Sequence, residues 1–116
     1  MADSPLLTKS KEFALQIIKV CNYIKQTKKE TVLTNQLIRS GTSVGANIRE
    51  ANYGQSRADM LSKFEIALKE CSETEGWLQL LFNTKSIDEY TYKKNRNLCG
   101  RIRRMLIASC KTLKDK

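Results

Sequence analysis

The sequence predicts an all-α protein, an up-down-up-down antiparallel four-helix bundle, on three observations. Apolar residues recur at three- and four-residue spacing through most of the 116 residues, in four stretches separated by short breaks. The single Pro, Pro5, lies ahead of the first stretch, so no proline interrupts a helix from within. No alternating apolar/polar run of useful length and no hairpin turn signal is present. Helices of about 25 residues are about 38 Å long, and short connections make consecutive ones antiparallel. The length suits one domain with a real core and is too short for two.

The first helix is expected over residues 6–29, with Leu6, Phe13, Ile17, Val20, Cys21 and Ile24 on one face. The second, over residues 31–53, keeps Leu33, Leu37, Gly41, Val44, Ile48 and Ala51 in register, and Gly54 supplies its stop. The third, over residues 57–84, opens at Ser56 with Asp59 in a capping-box-like start. Its inner face reads Met60, Phe64, Ala67, Leu68, Cys71, Leu78 and Phe82. The fourth, over residues 87–114, opens with Ser86 and Glu89 in capping-box spacing. It turns Leu98, Ile102, Met105, Leu106 and Leu113 inward.

Two helices carry apolar residues beyond a single core stripe. At about 100° per residue, Ile66, Trp77 and Leu80 fall nearly opposite Phe64, with Leu81 at the shoulder. On the first helix Leu7, Ala14, Leu15 and Ile18 extend past the inner face. A Trp with aliphatic neighbours on an outer face marks an interface, so a homo-oligomer is expected. Glu70 and Glu73 lie towards the Trp77 side, where Arg or Lys of a neighbouring subunit can meet them.

Residues 39–51 of the second helix hold six Gly, Ser or Ala residues. Two Gly inside a helix cost about 1 kcal/mol each relative to Ala, so they need a reason. Gly41 and Gly45, one turn apart, permit close approach of a neighbouring helix. Asn47, Arg49 and Glu50 follow and are expected to form a polar cluster beside that contact. The same stretch also reads as a helix-turn-helix with Gly41 in the turn. Against that, the apolar phase runs from Leu33 through Val44 to Ile48 without slipping.

The 21 Lys+Arg against 12 Asp+Glu leave a net charge of +9, which points to a polyanionic partner. The surplus is uneven. Residues 6–29 hold six Lys and one Glu, and residues 87–116 hold nine Lys+Arg and three acids, while the third helix is net acidic. The first and last helices are neighbours in a closed bundle, so their cations share a side. Candidate phosphate contacts are Lys11, Lys19 and Lys25 on the first, with Lys93, Arg96, Arg103, Arg104, Lys111 and Lys114 on the fourth. No RNA-reading motif with stacking aromatics is visible, so contact is expected with backbone or shape.

The absence of His excludes His-based triads, di-iron Glu-x-x-His motifs and Cys/His zinc sites. Cys21, Cys71, Cys99 and Cys110 lack C-x-x-C spacing and read as reduced, buried fillers. No signal peptide and no apolar run of about 20 residues is present, and a cytoplasmic location is expected. No cofactor, metal site or nucleophile–base pair is evident, so a non-enzymatic role is expected.

Residues 40–51, Ser-Gly-Thr-Ser-Val-Gly-Ala-Asn-Ile-Arg-Glu-Ala, resemble a signature of the 23S rRNA intervening-sequence proteins. Residues 67–78 resemble a second one, Ala-x-Lys-Glu-x-x-Glu-Thr-x-x-Trp-Leu, with Gly76 where a bulky aromatic is common. The resemblance spans nearly the whole chain. It implies a four-helix bundle assembled as a homopentameric barrel, with the first signature inside one long helix. It also implies kinship with accessory proteins of diversity-generating retroelements, which bind nucleic acid and a reverse transcriptase through basic surfaces. Two functions are thereby set against each other. One is a binder of RNA or DNA phosphates without strong sequence specificity. The other is an adaptor whose basic surface docks an acidic or nucleic-acid-bound partner protein, such as a reverse transcriptase.

Overall fold

The computed structural model describes residues 4–115, with four helices and no strand among them. They are α1 (Pro5–Thr27), α2 (Val32–Asn52), α3 (Arg57–Asn83) and α4 (Glu89–Lys114). Consecutive helices pack against one another, and α4 returns against α1 to close the ring in an elongated body of 47 × 22 × 21 Å. The α1–α4 seam is the sparsest of the four.

Local chemistry accounts for each helix end. At α1, Ser4 Oγ accepts from Leu7 N at 3.1 Å, and Pro5 at the first helical position gives up a donor that has no helical partner anyway. At α2 the cap comes from outside the helix: the Glu30 carboxylate accepts from Leu33 N at 2.8 Å and Thr34 N at 3.0 Å. Ser56 Oγ caps α3 by accepting from Asp59 N at 3.0 Å. Asp88 caps α4 by accepting from Thr91 N at 2.8 Å.

The α4 start thus differs from the expected Ser86 cap. Ser86 is instead buried in the turn after α3, where its N–H donates to Leu81 O at 2.8 Å. With Lys85 N donating to Phe82 O, this is a Schellman closure whose left-handed residue is Lys85, at φ 63°. Lys29 occupies the same left-handed region after α1, at φ 58°.

The core combines all four inner faces. Phe13, Ile17, Ile24, Leu37, Ile48, Leu78, Leu81, Ile102 and Leu106 are fully buried, and each such side chain contributes about 1.5–3 kcal/mol. Two residues expected on outer surfaces are inside: Leu7 joins the core at the base of α1, and Leu81 is fully buried rather than at a shoulder. The inner face of α3 also rotates to include Glu70 and Thr74, so Leu68 and Phe82 are only partly buried beside it. Trp77, expected on the outside, packs against the core with its indole Nε1 buried and unpartnered among the described residues.

The two glycines of α2 face α1. A Cβ at Gly41 would lie 2.9 Å from Ile17 Cγ2, and one at Gly45 would lie 3.2 Å from Ser10 Oγ. α2 is continuous from Val32 to Asn52, so the helix-turn-helix reading is overturned. Burial of the α1 stripe against an unbroken α2 is what keeps the apolar phase from slipping.

Candidate functional site

The two basic helices lie side by side along the α1–α4 seam, and where that seam gapes a groove of about 700 Å³ opens. It spans the C-terminal half of α1, the α3–α4 turn and the first turns of α4. Val20, Phe82 and Ile87 supply its apolar floor. Lys19, Lys28, Lys85 and Lys94 line it against one acid, Asp88, whose carboxylate is engaged as the α4 cap. Two tyrosines from opposite sides complete it: Tyr23 is 54% exposed and Tyr90 72%. The Lys94 ammonium sits 6.0 Å from the Tyr90 ring centroid.

The groove wall is stiffened by aromatic stacking. Phe82 and Tyr92 stack with centroids 4.6 Å apart and planes 1° from parallel. The Arg96 guanidinium covers Tyr92 at 5.2 Å, and Tyr92 OH donates to Gln79 Oε1 at 2.7 Å. Asn95, fully buried beside the groove, donates from Nδ2 to Thr91 O at 2.9 Å, while its buried Oδ1 finds no partner among the described residues. A buried acceptor left unpaired costs the fold roughly 1–3 kcal/mol.

Only part of the expected basic stripe is available in this form. Lys19 lines the groove, and Arg104 and Lys111 are exposed on α4. Lys11 is exposed but not free of intrachain interaction, and Lys25 is half-buried. Arg103, by contrast, bonds Glu75 of α3 at 3.1 Å, and Lys114 pairs with Glu65 at 3.3 Å. Lys93 pairs with Glu89 one turn away at 3.5 Å, and Arg96 is committed to Tyr92. The acids of α3 therefore neutralise the near edge of α4, which a count of charges per helix does not reveal. Lys28, Lys85 and Lys94 were absent from the sequence-derived set, as were Tyr23 and Tyr90. Tyr23 and Tyr90 come from two helices far apart in the chain.

The helix-packing set resolves differently from expectation. Arg39 of α2 forks onto α3, with Nη1 3.2 Å from Glu70 Oε2 and Nη2 2.7 Å from Glu73 Oε1. Ser43 Oγ donates to the same Glu70 oxygen at 2.7 Å, and Thr74 Oγ1 donates to Ser40 Oγ at 2.9 Å. Glu70 and Glu73 are therefore both held by Arg39 of their own chain. Asn47, Arg49 and Glu50 do not cluster. Asn47 Nδ2 donates back to Ser43 O at 2.9 Å and Glu50 reaches Lys63 of α3 at 3.4 Å, so the two take different partners although they share a helical face, while Arg49 is turned away from both and exposed. Ile66 remains on the outside, 40% exposed.

Residues 40–51 and 67–78 thus meet across the α2–α3 seam as one intrachain latch. The family model for the 23S rRNA-intervening sequence protein matches residues 3–108. The chain belongs to that family. A crystal structure of an S23 ribosomal protein family member of unknown function, from Bacteroides thetaiotaomicron, is similar to this family member. It is 45% identical, covers 91% of this chain and 98% of its own, and superposes with a TM-score of 0.90. No curated protein matches.

The cysteines of this family member are all buried, and none is in a disulfide. Burial pushes the Cys21 thiol up to about 11, and burial likewise raises Cys110. Cys99 is raised by its hydrogen-bonding to Cys71 and by burial. All three stay protonated at neutral pH, which suits packing and not nucleophilic attack. Among the described residues no group of three or more Cys, Asp or Glu comes together as a metal site, and no helix is long and apolar enough to cross a membrane.

Proposed function

We propose that this member of the family is a non-enzymatic, cytoplasmic, homo-oligomeric nucleic-acid-binding protein. It contacts RNA or DNA phosphates through the joined basic sides of α1 and α4, without strong sequence specificity. The observation that carries the reading is the adjacency of the two helices that hold the charge surplus, which gathers Lys19, Lys28, Lys85 and Lys94 around one groove. Each phosphate neutralised there releases counterions, a sequence-independent contribution.

The homopentamer implied by the resemblance fits the apolar residues left outside the core. Leu15 on α1, Ile66 and Leu80 on α3 and Ile107 on α4 are all exposed, and Ile66 and Leu80 share one helical face. Repeating a weak basic site around a ring strengthens binding to a long polyanion by avidity.

Two measurements test this. Light scattering after gel filtration should return a multiple of the 13.3 kDa chain mass, near fivefold for a pentamer. Affinity for mixed-sequence RNA and DNA should fall steeply with salt, and Arg104→Glu with Lys111→Glu should weaken it. A monomer defeats the assembly, and absence of binding at low salt defeats the nucleic-acid role in favour of docking to a partner protein.

A further inference from the structure

Resting on that nucleic-acid reading, we infer that the α1–α4 groove takes an unpaired nucleotide of a single strand. Its base lies against Tyr23 and Tyr90, and its phosphates lie on Lys19, Lys28, Lys85 and Lys94. Three observations converge on this ligand. The groove carries four ammonium groups against one carboxylate, and that carboxylate is already engaged with the Thr91 N–H. Its two tyrosines are the exposed aromatic residues of the site, and every nucleobase offers a face on which such a ring can stack. The volume of about 700 Å³ lies within the range of pockets that bury a small organic ligand.

The same features disfavour the alternatives. Bases within a duplex are stacked on each other, so a double helix presents phosphates to the lysines and no face to the tyrosines. A second copy of the chain docking groove to groove would bring two sets of four lysines together, and like charges in contact oppose association.

Fluorescence anisotropy against a labelled uridine or thymidine single strand of roughly twelve nucleotides, and a duplex of equal length, decides the matter. Both probes are titrated over a salt series, with light scattering on every variant. Tyr23→Ala with Tyr90→Ala should weaken single-strand binding about tenfold or more and leave duplex binding unchanged. Tyr23→Phe with Tyr90→Phe should keep the wild-type affinity, because the rings remain. Lys19→Ala with Lys94→Ala should reduce the slope of log affinity against log salt by about 1.4 on the single strand.

If the alanine pair binds single strands as wild type does, or loses equally on duplex, the groove inference fails while general nucleic-acid binding stands. If wild type binds neither probe at low salt, both readings fail. If the alanine pair changes the particle mass, the groove is a subunit contact and the inference fails.

Discussion

Three glycine-to-alanine substitutions probe how closely α1 and α2 are pressed together. Every Gly→Ala change inside a helix gains about 1 kcal/mol of intrinsic propensity. At Gly76, where a new Cβ meets nothing within 4 Å, that gain should appear undiminished. At Gly41 the Cβ would lie 2.9, 3.1 and 3.3 Å from Cγ2, Cγ1 and Cβ of Ile17, which is itself fully buried. Three atoms of one β-branched side chain cannot all rotate away, so the helices must separate. Overpacking of this kind costs about 1–3 kcal/mol. With three close atoms the upper half of that range applies, and the net effect of Gly41→Ala is a loss of about 1–2 kcal/mol.

Gly45→Ala falls between, because the close atom there is the Ser10 hydroxyl, at 3.2 Å, which already donates to Leu7 O. Urea unfolding followed by circular dichroism, at one protein concentration, should rank the variants Gly76→Ala, Gly45→Ala, Gly41→Ala from most to least stable. The outer two should differ by roughly 2–3 kcal/mol. Equal midpoints for Gly41→Ala and Gly76→Ala would refute the close α1–α2 contact.

Further expectations follow from the latch, the turns and the caps. Arg39→Met should cost about 2 kcal/mol, between the values for exposed and buried pairs, because it strands the buried Glu70 carboxylate. Adding Glu70→Gln should recover part of that loss in a double-mutant cycle, whereas strict additivity would refute the coupling. Lys85→Gly relieves a left-handed Lys and should raise stability by about 0.5–1 kcal/mol; a lower urea midpoint than wild type would contradict it. Glu30 is held below the ordinary carboxylate value: desolvation pushes it up, but hydrogen bonds from Leu33, Thr34 and Val32 outweigh that push. A depressed carboxylate stabilises the fold above its unfolded value of 4.5 and stops doing so as pH falls through its folded value. Glu30→Gln should therefore lose a few tenths of a kcal/mol at pH 7, and the gap from wild type should close in acid. A gap that widens below pH 4 would reverse the sign of this cap.

Much of the architecture was legible along the chain because helical periodicity is a local property. The stripe from Leu6 to Ile24 reads directly and is buried as read. Gly41 and Gly45 announced a close approach, since nothing else explains two poor helix formers in mid-helix. Ends were less legible. Ser86 and Asp88 both offer plausible caps, and the choice was made by the Schellman closure on Leu81, a product of how α3 ends.

The sequence by itself determined the helix number, the order of elements, the family and the concentration of cations on the first and last helices. Only the tertiary structure decided which charges remain available. Arg103 and Lys114 look equivalent to Arg104 and Lys111 along the chain, but α3 places Glu75 and Glu65 beside the first two. The groove was equally invisible, because Tyr23 and Tyr90 lie in different helices and no local pattern links them. Periodicity acts through the backbone within a few residues. Charge pairing and cavity shape act through space, between residues that only the closing of α1 against α4 makes neighbours.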